Sequence, residues 1–290
     1  MKSNLKWIIL FLTPATLLFL FVYAIPIAVL FTTSFTEWTI GAAPKFTGLL
    51  NYYDLLANDG DFIKAVINTA VWILLQSTVH VALGVLCALI LAREKFYWKF
   101  TRTVFMLPNI ISSAALGMMF LMLFNATFGA VNSFVRMLGF KDFGQNWFLS
   151  GNTAFLTVTL TWLPFAATIT ILVLAEMTSI APSVMEAARI DGANEVQTNV
   201  QIVLPMMRNI IGTSTVLAAT SMLQKLDIIM MTTSGGPGNT TLNLPMYVYE
   251  TALRNNDFGR ANTAGVYMIV IGLVAVKLIN KIYQMGKSDA

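Results

Sequence analysis

Six stretches of this chain run for close to 20 residues with almost no charge, the length of helix that crosses the hydrocarbon core of a bilayer. They span about 7–31, 65–92, 103–124, 153–175, 210–231 and 262–279. Between them no segment is long enough to bury a large core of its own, so the spans themselves are the domain. The balance of residue types agrees. Charged residues make up 11% of the 290 and hydrophobic ones 57%, where an ordinary soluble domain carries roughly 25% charge. Such a chain cannot cover a water-facing surface, but it can face lipid. The expected class is an all-α integral membrane protein with six transmembrane helices.

Charge placement sets the expected orientation. The stretch Arg93-Glu94-Lys95-Phe96-Tyr97-Trp98-Lys99-Phe100-Thr101-Arg102 is the most basic in the chain. Lys2 and Lys6 precede the first span, and Lys277, Lys281 and Lys287 accompany the end of the last. Six spans bring these three regions to one side, and the excess of Lys and Arg beside membrane spans marks that side as cytoplasmic. Both termini are then cytoplasmic. The first span follows two lysines as a signal peptide would, but its apolar run is too long and lacks a cleavage site, so it reads as a retained anchor. The net charge of +4 belongs to these flanks and does not form a nucleic-acid-binding patch. Membrane lipid, and no nucleic acid, is the expected surrounding.

Catalytic chemistry finds no foothold. His80 is the only His and Cys87 the only Cys, which argues against a metal site. His80 reads as packing against Gln76 or Gly84. Gly286-Lys287-Ser288 imitates the end of a P-loop, but Lys281 stands where its first Gly should be and no strand precedes it. Gly235-Gly236-Pro237-Gly238-Asn239-Thr240-Thr241 lacks the Lys. No catalytic residue, metal ligand or cofactor is expected in this chain.

The segment of about 176–208, between the fourth and fifth spans, has a different texture. Pro182 suits the first turn of a helix. Val184, Ala187 and Ala188 follow at helical spacing, and Gly192 can adopt the left-handed conformation that ends it. A second helix is predicted from Ala193 to about Val203, closed by Pro205. Small residues at Ala187, Ala188, Gly192 and Ala193 would let a partner's backbone come close.

Here the chain resembles a known family. Glu186-Ala187-Ala188, then Asp191-Gly192-Ala193, then Ile202, Leu204 and Pro205 match in spacing the EAA loop of ABC importer permeases. Gly48-Leu49-Leu50-Asn51-Tyr52-Tyr53 with Asn68-Thr69 is similar to the segment leading into that family's second span. Arg102 to Pro108 with Gly129 and Asn132 is similar to its third-span region. Ser234-Gly235-Gly236-Pro237, Tyr249, Asp257-Phe258-Gly259 and Ala261 are similar to its last outer loop. The resemblance is to the carbohydrate-uptake branch, the permeases for maltose, multiple sugars and glycerol phosphate, and to the first permease of a heterodimer. Val196 and Asn199 stand where those permeases often carry aromatic residues.

The resemblance implies a type I importer core and a bacterial inner-membrane location. It implies four kinds of chain in the assembly: this permease, a second one, two ATPase copies that bind ATP and magnesium, and an extracytoplasmic solute-binding protein. It makes Glu186, Ala187, Ala188, Asp191, Gly192, Ala193, Leu204 and Pro205 the surface that couples to the ATPase. An ion-coupled secondary carrier is the alternative. It would carry buried acids and often inverted repeats, and only Asp227 qualifies as such an acid.

The solute path is sought among polar groups inside spans, which are costly there and face a bundle interior or a wet cavity. Ser221 and Lys225 fall four apart, with Met222 and Ala218 alongside. Lys225 and Asp227 are two apart and do not face each other on a regular helix, so either they have different partners or the helix loosens toward Thr232. Thr161, Trp162, Phe165 and Thr168 form a polar and aromatic stripe suited to the CH faces and hydroxyls of a sugar.

Overall fold

The computed structural model describes residues 4–93 and 98–285. Lys2, the Glu94–Tyr97 part of the basic stretch and the Gly286-Lys287-Ser288 imitation of a P-loop lie outside the described residues. Among those residues, four helices are long and apolar enough to cross a membrane: α1 (Lys6–Thr33), α3 (Gly60–Leu91), α7 (Ala154–Met177) and α13 (Phe258–Tyr283). Two further pairs qualify only as bent spans. One is α4 (Lys99–Asn109) with α5 (Ser113–Leu123), bent by 102°, and the other is α9 (Glu195–Met206) with α10 (Arg208–Gln224), bent by 71°. Shorter helices are α2 (Leu50–Ala57), α6 (Ala130–Met137), α8 (Pro182–Ile190), α11 (Asp227–Thr232) and α12 (Leu244–Tyr249).

Two expectations about regular helices are corrected. The third apolar run, 103–124, is not one helix. Pro108 cannot continue the α4 ladder, and Ser112 starts α5 afresh by accepting a hydrogen bond from the Ala115 amide at 3.3 Å. The fifth run, 210–231, breaks as well: a 3₁₀ turn at Met222–Gln224 ends α10, and Lys225 leaves the helix with ψ +83° before α11 begins.

The chain divides into two compact units. The first comprises residues up to Ile63 together with Tyr247–Val270. Its centre is polar. Ser34 is fully buried, and its hydroxyl bonds the Tyr52 hydroxyl at 2.7 Å. Its carbonyl accepts from Asn51 Nδ2 at 3.1 Å and from Thr263 Oγ1 at 2.9 Å. Gly259 lies so close to the Thr36 carbonyl that no Cβ fits. The motifs around Asn51 and around Gly259, two hundred residues apart in the chain, therefore meet. Tyr247 donates to Asp59 at 2.7 Å, and burial, aided by that bond, pushes its phenol pKa up. The hydrophobic window of α1 is 0% buried, so its apolar side chains face outward all round.

The second unit, Lys64–Met246 with the residues from Ile271 onward, holds the larger core. α3 packs on α7 at Gly84, where an added Cβ would lie 2.7 Å from Ile169. Thr170 donates to the Gly84 carbonyl at 2.9 Å. Val81, Val85, Ala88, Val173, Val203 and Met207 continue the seam. α10 buries Gly212, Ser214, Thr215, Ala218 and Ala219 while Leu217 is exposed. This inverts the soluble pattern: between membrane helices, small and hydroxyl residues give close backbone approach, and lipid accepts the large apolar ones. Arg208 Nε donates to the Tyr283 carbonyl at 2.6 Å, satisfying an open carbonyl at the end of α13.

Motifs of the segments between spans gather in this unit too. Asn68 Nδ2 reaches the Thr240 and Leu242 carbonyls at 3.2 and 2.8 Å. Lys64 Nζ reaches the Gly238 carbonyl at 2.6 Å. The Gly-Gly-Pro turn thus wraps the start of α3, with Gly235 at φ +83°. Asn132 is fully buried, its amide donating to the Ala126 and Gln145 carbonyls at 3.0 and 2.9 Å and its oxygen accepting from Trp147 Nε1 at 2.7 Å.

Candidate functional site

Three helices of the second unit lose α-helical regularity around one cavity. In α3 the residues Gln76–His80 form a π-helical turn. In α7, Leu163–Phe165 form a 3₁₀ turn with Pro164 inside it. α10 ends at Met222–Gln224, just before Lys225. Such departures free backbone groups and re-aim side chains, and in a membrane they are tolerated where the backbone is buried in protein or lines a wet space. The cavity measures about 150 Å³ and is lined by Gln76, His80, Trp162, Phe165, Thr168, Ser214, Ser221 and Lys225, with Ile169, Leu172, Leu217 and Ala218 as its apolar wall.

The break fixes Lys225 in place. Its carbonyl accepts from Asn243 Nδ2 at 2.7 Å, and its ammonium lies 3.9 Å from the centre of the Phe165 ring, a cation–π contact. Asp227 opens α11 without forming an ion pair to it, so the helix does loosen here, one of the two possibilities left open by the spacing. Thr168 Oγ1 donates to Asn109 Oδ1 at 2.9 Å, tying the cavity wall to the bend between α4 and α5. Trp162 is held edge-on to Trp72 with centroids 4.7 Å apart, and Trp72 stacks on Phe155 at 4.5 Å. Three buried polar atoms of the lining, His80 Nδ1, Trp162 Nε1 and Ser214 Oγ, make no hydrogen bond within the protein. A buried polar group without a partner is costly, and natural proteins leave few of them.

Of the pathway candidates read from sequence, Trp162, Phe165, Thr168, Ser221 and Lys225 come together here. Thr161 and Met222 do not. Both are fully buried, and Thr161 Oγ1 is spent on the Val158 carbonyl at 2.6 Å. Each is one residue, about 100° round a helix, from a lining neighbour, and each faces the packed interior. Gln76, His80 and Ser214 were missed as lining residues. Their signal was present: Gln76 and His80 are the polar pair at i, i+4 in an otherwise apolar run, and Ser214 and Ser221 share a face at i, i+7.

The loop between α7 and α10 is built in the opposite manner. Pro182 opens α8. Gly192 has φ +79°, and the Ala193 amide returns to the Ala188 carbonyl at 2.9 Å, a Gly-terminated helix end. Asn194 and Gln197 cap α9 reciprocally, at 2.9 and 2.8 Å, the capping-box arrangement. Arg93, at the end of α3, pairs with Glu195 at 2.6 Å. Glu186, Ala187, Asp191, Gly192 and Pro205 are exposed, and Ala193 and Leu204 partly so. Ala188 is 4% exposed, so it packs inside this chain and offers nothing to a partner. Pro205 does not close the second helix: the chain stays helical to Met206, because a π-helical turn at Asn199–Val203 absorbs the missing amide. Ile190, Val196 and Val200 stand out from the surface, an apolar set of which the sequence pattern singled out Val196 alone. Behind the loop a cavity of about 750 Å³ opens between the ends of α3 and α7, with Arg93, Arg102, Arg189 and Glu195 among its lining residues.

Comparison with known proteins places these features. Residues 80–284 match the family described as binding-protein-dependent transport system inner membrane component. The multiple sugar-binding transport system permease protein MsmF of Streptococcus mutans is 34% identical, over 84% of this chain and 83% of its own length. The sulfoquinovosyl glycerol transport system permease protein SmoG of Agrobacterium fabrum is 30% identical, over 91% of this chain and 86% of its own. In structure, a chain of a bacterial ABC transporter that imports the acidic polysaccharide alginate superposes with a TM-score of 0.84 at 21% identity, covering 99% of this chain and 98% of that one. That likeness establishes the shared fold.

Proposed function

Starting from the fact that this chain belongs to the binding-protein-dependent inner-membrane components, the membrane permeases of ABC importers, we propose that it forms half of the pathway for a carbohydrate-like solute. Its reading as a six-span type I permease takes each bent pair as one span, with both termini and the α8–α9 loop in the cytoplasm. Hydrolysis of ATP, with its magnesium, falls to a separate ATPase. A second permease completes the pathway, and an extracytoplasmic binding protein delivers the solute.

One observation carries the proposal. α10 joins the two candidate sites: it begins at the 71° bend with α9, bears Ser214 and Ser221 on the cavity wall, and ends just before Lys225. Val203 and Met207 anchor that bend in the core. A displacement of the loop is therefore passed to the cavity through one continuous stretch of helix. Closure of an ATPase dimer against Glu186, Ala187, Asp191, Gly192, Ala193, Leu204 and Pro205 would tilt α10 and switch the cavity between its two openings. ATP drives the cycle to the extent that it favours one of those states over the other. The carbohydrate assignment draws on MsmF and SmoG, and on a cavity that offers an aromatic face at Phe165 beside hydroxyls at Thr168, Ser214 and Ser221.

The test is co-purification from a native membrane in mild detergent, wild type against Gly192→Asp. The expected result is an ATPase and a second permease with the wild type, and loss of the ATPase or of ATP-driven uptake in the variant. A lone chain that moves solute in liposomes without ATP would put an ion-coupled carrier in its place.

A further inference from the structure

The cavity is cationic, and nothing in its wall neutralises it. Lys225 enters from the break after α10, His80 from the π-helical turn of α3, and the remaining polar lining is Gln76, Thr168, Ser214 and Ser221. No carboxylate is among the lining residues. Among the described residues none forms an ion pair with Lys225, and its ammonium rests instead on the Phe165 ring. The acid nearest in sequence, Asp227, belongs to α11 and does not line the cavity. A cation held among membrane helices normally pairs with an acid or with backbone carbonyls. Here its close contact is a ring face, the weaker kind of partner, and Asp227 acts on it through the longer-range field without pairing with it.

Besides His80 Nδ1, which makes no hydrogen bond within the protein either, two lining donors await a partner. Ser214 Oγ and Trp162 Nε1 are buried without a hydrogen bond, in residues that are 0% and 1% exposed. The indole is a donor only, and the hydroxyl can donate. A lysine ammonium, an indole N–H and a serine O–H around one space form a set of donors. Such a set is satisfied by an oxygen-rich anion. At about 150 Å³ the space is below the roughly 300–1,000 Å³ of sites that enclose a drug-sized ligand. It seats one substituent of a solute and not a whole saccharide.

We infer that this cavity is an anion subsite of the pathway, in which Lys225, with Ser214 and Trp162, receives a carboxylate, sulfonate or phosphate substituent of the transported solute. The inference rests on the reading of the cavity as part of the pathway. Lys225 then leaves the Phe165 ring for the anion, freeing that ring face for the apolar side of the sugar.

The test reads local charge without knowledge of the solute. The whole importer is purified with Cys87→Ala and Ser221→Cys in this chain, and turned over with ATP. It is exposed to methanethiosulfonate reagents carrying a sulfonate, a trimethylammonium group or no charge. Labelling of the peptide holding position 221 is followed by mass spectrometry. Ile190→Cys, on the exposed loop, is the reference site.

The expected result is a preference for the sulfonate over the ammonium reagent at position 221 that exceeds the preference at position 190 by roughly tenfold, as one unscreened unit charge several ångströms away would give. Lys225→Met removes that excess and Lys225→Arg keeps it, while the uncharged reagent reacts at the same rate in all three, which guards against misfolding. An equal preference at positions 221 and 190, or one unchanged by Lys225→Met, overturns the anion subsite and leaves the pathway standing. A thiol at position 221 that no reagent reaches during turnover overturns the pathway reading, and the subsite with it.

Discussion

The α8–α9 loop and the cavity at Lys225 sit at opposite ends of α10 and follow opposite rules. In the loop the junction between the two helices is satisfied: Gly192 lets the Ala193 amide turn back on Ala188, and Asn194 and Gln197 cap each other. In the cavity the helices break, and His80, Trp162 and Ser214 keep polar atoms unpaired. A transmitting part gains from having one conformation. A part that must take up and release a solute gains from hydrogen bonds left open, since each is completed only when something is bound. Under the proposed function, local order lies where force would be passed on and is absent where contact would be transient.

That contrast can be broken most forcefully at Gly192. Its φ of +79° is a conformation that a side chain adopts at a cost of roughly 1–2 kcal/mol, and Gly192→Asp adds both a side chain and a charge to the exposed loop. ATP-driven uptake in proteoliposomes should fall by an order of magnitude or more, beyond what the modest loss of thermal stability explains. Uptake at the wild-type rate would remove the loop from the coupling path.

A sharper comparison removes one polar side chain from each region. Asn194→Ala deletes a satisfied cap and should cost about 1 kcal/mol, seen as a lower unfolding temperature in detergent. Ser214→Ala deletes an unsatisfied hydroxyl and should leave that temperature unchanged or slightly raised, because no hydrogen bond is lost, while uptake declines. If Ser214→Ala destabilises as much as Asn194→Ala, the hydroxyl has a structural partner and the contrast fails.

The smallest effect concerns the link between loop and span. Arg93 and Glu195 leave 43% and 58% of their side chains exposed, and exposed pairs contribute about 0.2–1 kcal/mol. A double-mutant cycle with Arg93→Gln and Glu195→Gln should return a coupling at the low end, fading with added salt. A much larger coupling would mean that the cavity behind the loop shields the pair from water.

The loop was the more legible region. Pro182 and Gly192 carry local rules that hold without knowledge of the rest of the fold, and they were read correctly. The error nearby, ending the second helix at Pro205, came from a π-helical turn that no local rule announces. The cavity was half legible. Phe165, Thr168 and Lys225 stood out as polar or aromatic groups in apolar runs, but which of two adjacent residues faces inward depends on packing, and that separated Trp162 from Thr161 and Ser221 from Met222. The motifs around Asn51 and Gly259 were visible as patterns, while their meeting at Ser34 required the folded chain.

The bend at Met207 gives α10 a mechanical ratio. Its α-helical part, Arg208–Ser221, has 14 residues and so is about 21 Å long. A rod of that length pivoting at the bend sweeps its far end by about 0.4 Å for each degree of tilt. Ten degrees carry Ser221 roughly 4 Å, a distance comparable to the thickness of a sugar ring. In the proposed cycle the helix would act as a lever whose stroke matches the size of a sugar ring, with its fulcrum beside the loop that would drive it.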